Sequence, residues 1–148
     1  LYGIAKKSRT YGYLFKTAAK LCEVLSVKYE LGLKTRKAYN AGDKAELMRL
    51  ANNEFKEAIR LMREFGDVYE AQWFRDNKPH GFDIQDLRIG GATRRLEACR
   101  RRLIDYVGGK IDSIPELDEK ILPYPNTTEG EPFKIMVAEK IFSANVME

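Results

Sequence analysis

Two adjacent carboxylates, Asp118 and Glu119, are the first residues of this 148-residue sequence whose types could do chemistry. Paired carboxylates perform the acid and base steps in many hydrolases. Here the pair lies in the segment PELDEKI, which is typical of a short exposed helix, and no neighbouring residues indicate a cleft. We therefore interpret the pair as solvated surface and predict no catalytic residue in the chain.

A second group consists of five arginines within three helical turns, which could bind phosphates or carboxylates. Glu97 and Asp105 stand three or four positions from several of them, and no aromatic side chains interleave to stack on bases. Ion pairs are therefore favoured, and nucleic acid is not an expected partner. The alternative is a free-standing helical interaction or nucleic-acid-binding module built on this helix. The arginines are Arg94, Arg95, Arg100, Arg101 and Arg102.

A third group lies between residues 73 and 83, where aromatic, charged and turn residues are dense. Trp73 and His80 could stack on a sugar, because the faces of sugars are apolar and their hydroxyls need polar neighbours. The alternative is a loop that locks two helices together, with Asp83 or Asp86 capping the next helix. From the residues alone the locking loop is favoured.

No metal site or cofactor is expected. Cys22 and Cys99 have no CxxC partner and no nearby histidine, and we expect both to be buried as small apolar residues. His80 is the only histidine, so it cannot form a metal site alone. The sequence contains no Walker loop, GxGxxG, GxSxG or HExxH motif, which argues against nucleotide, serine-hydrolase and zinc-protease chemistry.

The composition is typical of one globular domain, with 44% hydrophobic and 32% charged residues. No apolar run is long enough to cross a membrane and no signal peptide is evident, so a membrane is not an expected partner and a cytoplasmic location is slightly favoured. The first residue is Leu1, which suggests a piece of a longer polypeptide.

The charge is unevenly distributed along the chain. Residues 1–40 carry 9 basic and 2 acidic side chains, whereas residues 111–148 carry 3 basic and 8 acidic side chains. This asymmetry favours contact between the two ends or with a parent body.

The periodicity predicts a mainly α fold: three long helices and a short one, followed by an extended, strand-like tail. The helices are expected over residues 10–41, 44–77, 86 or 91 to 107, and 113–121, with a bend or early end near Gly32. Asp43 and Ser113 are the expected N-caps of the second and the short helix. We divide the chain into a helical domain, 1–124, and a tail, 125–148. The expected apolar faces comprise Leu14, Ala18, Leu21 and Leu25, with Val24, Val27 and Leu31 beside them; Leu47, Ala51, Phe55, Ala58, Met62, Tyr69 and Trp73; and Ala92, Leu96, Cys99, Leu103 and Tyr106.

Three segments resemble the C-terminal helical domain of bacterial glycoside hydrolase family 20 β-N-acetylhexosaminidases. They are YELGLKTRKAYNAGD at 29–43, NKPHGFDIQDLRIGG at 77–91 and RLIDYVGGKI at 102–111. With the RLE triplet at 95–97 they carry a likeness that spans most of residues 10–124, and the block at 77–91 is specific. The IFSANV segment at 141–146 also resembles the end of such an enzyme.

The resemblance implies an accessory domain whose parent enzyme removes terminal N-acetylhexosamine from glycans on a (β/α)8 barrel that this chain lacks. In family 20 the acetamido oxygen of the substrate is the nucleophile, and an Asp–Glu pair in the barrel assists it. Asp118 and Glu119 do not match that context, so the chain alone is expected to be inactive. The expected partners are the barrel of the same parent chain, carbohydrate in the parent enzyme and a second copy in a homodimer. The pocket or interface candidates are Trp73, Lys78, His80, Gln85 and Arg88.

Overall fold

The computed structural model describes residues 1–8 and 10–120, which are mainly helical and contain no strand in that part of the chain. The mainly α fold is confirmed. The predicted tail, 125–148, and the last four residues of the predicted helical domain lie outside the described residues. The helices are α1 (Tyr2–Lys7), α2 (Gly12–Lys28), α3 (Leu31–Asn40), α4 (Lys44–Asn52), α5 (Glu54–Asp76), α6 (Phe82–Val107) and α7 (Pro115–Asp118).

The first predicted helix is interrupted where the sequence suggested, close to Gly32. Helix α2 ends at Lys28 and α3 begins at Leu31, so the break falls just before the glycine. Glycine lowers helix stability by roughly 1 kcal/mol relative to alanine, which weakens the continuity of this region. Helix α1 precedes α2 and was not predicted.

The second predicted helix is also divided, at Asn53, which was not expected. Asn53 takes φ −107° and ψ −77°, outside the usual helical values. The Arg100 Nε donates a hydrogen bond to the Ala51 carbonyl oxygen at 2.8 Å, so a side chain from α6 binds the main chain at this break. Arg49 spans the break by pairing with Glu46 on α4 and Glu54 on α5.

The predicted N-caps differ in their outcome. Asp43 caps α4 as expected, because its side chain accepts a hydrogen bond from the Glu46 N–H at 2.9 Å. The prediction for Ser113 is wrong, since Ile114 occupies the N-cap position of α7 and Pro115 begins the helix. Proline fits that first position because its ring fixes φ and the N–H it lacks would have no helical partner.

Helix α5 lies at the centre of the bundle and packs against both α2 and α6. Its predicted apolar face is confirmed: Phe55, Ala58 and Met62 are buried, and Tyr69 and Trp73 are half-buried. The predicted face of α6 also contacts the core. The buried core residues that pack together are Val24, Leu31, Ala38, Leu47, Leu50, Ala51, Phe55, Ala58, Ile59, Leu61, Met62, Leu96, Leu103 and Ile114.

The broad apolar face predicted for the first helix is confirmed only in part. Val24 and Leu31 are buried in the core and Val27 packs against it, whereas Leu14, Ala18, Leu21 and Leu25 are exposed. Helix α2 also buries Thr17 and Ala19. Periodicity identifies an apolar face but does not tell which element covers it. Helix α2 has apolar residues on its core side and also on its exposed side. The expectation that Cys22 is buried is wrong for the same reason, whereas Cys99 is half-buried. The exposed row of α2 residues is Leu14, Ala18, Leu21, Cys22 and Leu25, which we call the α2 stripe.

We expect Leu50→Ala to destabilise the chain by about 2–5 kcal/mol, because Leu50 is fully buried and its truncation leaves a cavity. Urea unfolding measures the free energy. Leu33→Ala is the matched control, since Leu33 is 70% exposed and should change stability by less than about 0.5 kcal/mol. Equal effects of the two substitutions would contradict the assignment of the core.

Acid should weaken the link between α2 and α5. The Lys20 ammonium donates to Glu23 and Glu64 at 2.8 Å each, and it lowers the pKa of both carboxyls. Their contribution is therefore present at neutral pH and is lost as the pH falls through about 4. Lys20→Met should flatten the decline in unfolding free energy between about pH 5 and 3, whereas Lys16→Met should leave it unchanged. An unchanged slope in the Lys20 variant would contradict this account.

Candidate functional site

Residues 77–81 form a tight turn between α5 and α6, and the side chain of Trp73 on α5 binds the main chain of this turn. The indole Nε1 donates a hydrogen bond to the Lys78 carbonyl oxygen at 2.9 Å. The Phe82 N–H donates to the Pro79 carbonyl oxygen at 3.2 Å. Gly81 has φ +91°, a left-handed value that other residues rarely adopt. The turn is therefore fixed by its own main chain and by one aromatic side chain.

The start of α6 differs from the sequence prediction. The helix begins at Phe82 rather than at residue 86 or 91. Gly81 is its N-cap residue and makes no side-chain cap bond, so the expectation that Asp83 or Asp86 caps the helix is wrong. The left-handed glycine reverses the chain directly into the helix, which lets Phe82 become buried at once.

Aromatic rings line the junction of the two helices. The ring centroids of Tyr69 and Trp73 are 6.3 Å apart, and those of Trp73 and Phe82 are 5.8 Å apart. Phe65 stacks on Tyr69 at 5.6 Å, and Phe74 lies 5.0 Å from Phe82. Such pairs add to stability beyond their burial. Trp73 is thus half-buried in an aromatic row, and the favoured reading of this segment as a helix-locking element agrees with its contacts.

The other four candidates surround this aromatic base. Lys78 and His80 are exposed in the turn, while Gln85 and Arg88 share one side of α6, three residues apart. Within residues 1–8 and 10–120, these four side chains have no hydrogen-bond or ion-pair partner. Their donors are therefore available to a ligand or to another surface.

A second contact, which the sequence pattern does not predict, fixes this end of the bundle. The Tyr13 hydroxyl donates to Asp76 Oδ1 at 2.6 Å, and this hydrogen bond raises the pKa of Tyr13. The Arg75 guanidinium lies 3.8 Å from the centroid of the Tyr13 ring. Local spacing could not reveal this pairing because 63 residues separate Tyr13 from Asp76.

The arginine cluster is largely occupied by contacts within the chain. Arg94 pairs with Glu97 at 3.3 Å, and Arg102 pairs with Glu116 at 2.7 Å, with Arg95 at 4.0 Å from the same carboxylate. The expected pairing through Glu97 is confirmed. Asp105 instead pairs with Lys110. Because Arg100 binds main chain near the α4–α5 break, four of the five arginines have structural contacts.

The carboxylates at residues 118 and 119 lie on and beside α7, at the surface. Asp118 accepts a hydrogen bond from the Tyr39 hydroxyl at 2.8 Å, and the same hydroxyl accepts one from the Ile114 N–H at 3.0 Å. Arg36 donates to the carbonyl oxygens of Glu116, Leu117 and Glu119. These contacts tie α7 to α3 and provide a structural use for Asp118.

In the described part of the chain, no cluster of three or more metal-ligating side chains is present. None of the described helices is long and apolar enough to span a membrane.

Most of the chain is similar to one known domain family. The model of the glycoside hydrolase 20C C-terminal domain matches residues 1–137. The chain belongs to this family. The match includes the turn at 77–81, the arginines and α7, so a family 20C C-terminal domain accounts for all the described helices.

One curated protein, the DNA-directed RNA polymerase subunit beta of Fervidobacterium nodosum, is 22% identical over 134 residues. The alignment covers 76% of this chain and 11% of the polymerase subunit, so the chain spans about a tenth of that protein. The family assignment therefore rests on the glycoside hydrolase 20C domain match. The occupied arginines likewise do not favour the nucleic-acid-binding alternative.

Two glycine substitutions test the geometry of the turn. Gly81→Ala should destabilise this 20C domain by about 1 kcal/mol or more, because alanine is strained at φ +91°. Gly90→Ala is the matched control within α6, where nothing lies within 4 Å of an added Cβ atom, and should stabilise by about 0.5–1 kcal/mol. Thermal and urea unfolding measure both. A neutral Gly81 variant would contradict the left-handed turn.

Proposed function

We propose that this chain is the C-terminal accessory domain of an exo-β-N-acetylhexosaminidase, with catalysis on a (β/α)8 barrel in the same polypeptide. The observation that carries the proposal is the 20C domain match over residues 1–137. The domain supports the barrel and contributes no catalytic residue. The hydrogen bond between Asp118 and Tyr39 supports a structural rather than a catalytic role for this carboxylate.

The chemistry expected of the parent enzyme needs a carboxylate pair in a substrate pocket. Family 20 enzymes are substrate-assisted, and one carboxylic acid protonates the leaving oxygen while the acetamido oxygen attacks. Among the described residues, the Asp118 carboxylate already accepts a hydrogen bond from the Tyr39 hydroxyl and so has a structural partner. Asp118 and Glu119 therefore remain outside the proposed mechanism.

We further propose that the turn at 77–81 and the start of α6 form the rim of a sugar-binding pocket. Lys78, His80, Gln85 and Arg88 offer polar groups without a partner among the described residues, around a rigid base, and sugar hydroxyls are good partners for such groups. Trp73 sets the position of the base through its bond to the Lys78 carbonyl. The pocket is that of the attached barrel or, in a homodimer, that of the second copy.

The first test is release of nitrophenol from a β-N-acetylglucosaminide. We expect activity in the full-length enzyme and none in the 148-residue chain, because the barrel is needed for catalysis. Measurable turnover by the 148-residue chain would overturn the assignment of catalysis to the barrel. A full-length enzyme inactive on both glucosaminide and galactosaminide would contradict the hexosaminidase proposal.

The second test concerns the rim. In the full-length enzyme, His80→Ala and Arg88→Ala should each raise KM about tenfold with kcat little changed, since each removes a ground-state hydrogen bond to the sugar. Lys56→Ala, at an exposed position of α5 away from the turn, is the control. If the rim acts on the pocket of a second copy, the difference in KM between each variant and the wild type should disappear on dilution to monomers. The wild-type monomer then lacks the rim as well. Wild-type kinetics in both variants would remove the rim from the proposal.

A further inference from the structure

A cavity of about 230 Å³ lies where α3, α5, α6 and α7 meet, and most of its wall is apolar. Phe55 of α5, Leu103 of α6 and Leu117 of α7 contribute to that wall, and Cys99 of α6 is also part of it. An engineered apolar cavity of roughly 150 Å³ holds a benzene molecule. The cavity under α7 therefore has room for one aromatic ring.

One polar atom at this cavity has no partner among the described residues. Glu116 of α7 lines the cavity, and its carboxylate pairs with Arg102 through Oε1 at 2.7 Å. The second oxygen, Oε2, is buried and accepts no hydrogen bond from the described residues. A buried acceptor without a donor is unfavourable, and native proteins nearly always supply one. The group that fills the cavity is therefore expected to be apolar and to carry one hydrogen-bond donor.

The charges around Glu116 favour a neutral donor. Arg102 Nη1 lies 2.7 Å and Arg95 Nη2 lies 4.0 Å from Glu116 Oε1, so two positive charges already face one carboxylate. A further cation, such as a lysine ammonium, would be repelled by both guanidinium groups. A hydroxyl supplies the donor without adding a charge.

The chain that follows α7 starts at the edge of this cavity. Arg36 of α3 donates hydrogen bonds to the carbonyl oxygens of Leu117 at 3.0 Å and Glu119 at 3.1 Å. Thr35, the residue before Arg36, and Leu117 itself both line the cavity. An extended chain covers about 17 Å in five residues, so the residues up to position 124 are within reach of it.

Residues 121–148 contain one large apolar side chain with a neutral donor. Tyr124 is the only tyrosine among them, no tryptophan is present, and Phe133 and Phe142 have no donor. We propose that the Tyr124 ring occupies the cavity and that its hydroxyl donates a hydrogen bond to Glu116 Oε2. The 20C domain match continues to residue 137 and so includes Tyr124. The inference concerns the 148-residue chain itself and does not depend on the hexosaminidase proposal.

Cys99 reports whether the cavity is filled, because it lines the same space. The measurement is the rate of alkylation by N-ethylmaleimide in the folded 148-residue chain, followed for each cysteine by peptide mass spectrometry. Tyr124→Ala should raise the Cys99 rate at least tenfold, since it removes the ring that covers the thiol. Phe133→Ala is the matched control and should leave that rate unchanged. The exposed Cys22 is the internal reference and should react equally in all three proteins.

A double-mutant cycle tests the hydrogen bond separately from the ring. Tyr124→Phe keeps the ring and removes the donor, and Glu116→Met removes the acceptor. Tyr124→Phe should lower the urea midpoint in the wild-type background and should not lower it beside Glu116→Met, because the bond is then already lost. Tyr29→Phe is the control for loss of a hydroxyl and should not change the midpoint, since Tyr29 is 84% exposed. Both substitutions of the cycle are similar in size to the native residue, so the cycle tests the proposal even if Tyr124→Ala does not fold.

Four results would overturn the inference. An unchanged Cys99 rate in Tyr124→Ala would show that this ring does not cover the thiol. A faster rate in Phe133→Ala alone would assign the cavity to Phe133. Rapid Cys99 labelling in the wild-type 148-residue chain, slowed only in the full-length enzyme, would assign the cavity to the catalytic domain. Equal losses of the urea midpoint from Tyr124→Phe with and without Glu116→Met would exclude the hydrogen bond.

Discussion

Burial of α5 between α2 and α6 is the constraint on which the rest of the structure depends. Its apolar face packs against buried residues of α4 and α6. Charged side chains at the edges of this face form ion pairs with α2 and α6. Lys20 of α2 pairs with Glu64, and Arg63 pairs with Glu97 of α6. At its carboxyl end the bond from Tyr13 to Asp76 and the Trp73 indole set the turn at 77–81. Most of the packing between long helices therefore converges on one helix.

Polar groups that could suggest chemistry are mostly used to hold this bundle together. Arg100 binds main chain at the break between α4 and α5, and Arg36 and Tyr39 bind the segment that contains α7. Within residues 1–8 and 10–120, two surfaces have no partner once these contacts are made. One is the polar rim around the turn, and the other is the apolar α2 stripe.

The sequence predicted the elements that depend on local patterns. The apolar period of α5, the Asp43 cap and the end of α6 at Gly108 follow from spacing and from the turn preferences of glycine and aspartate. It did not predict the break at Asn53, because the stabilising Arg100 is 49 residues away from Ala51. For the candidate site, the density of aromatic residues pointed to the turn, but the Tyr13–Asp76 contact could not be found from spacing. The α2 stripe was visible as a pattern, yet an exposed apolar face has the same period as one that the core covers.

Calorimetric unfolding of the full-length enzyme tests most directly the proposal that this domain supports the catalytic barrel. The account predicts that the accessory domain melts together with the catalytic domain and at a higher temperature than the 148-residue chain alone. Independent melting of the domain at the same temperature in both proteins would contradict the account.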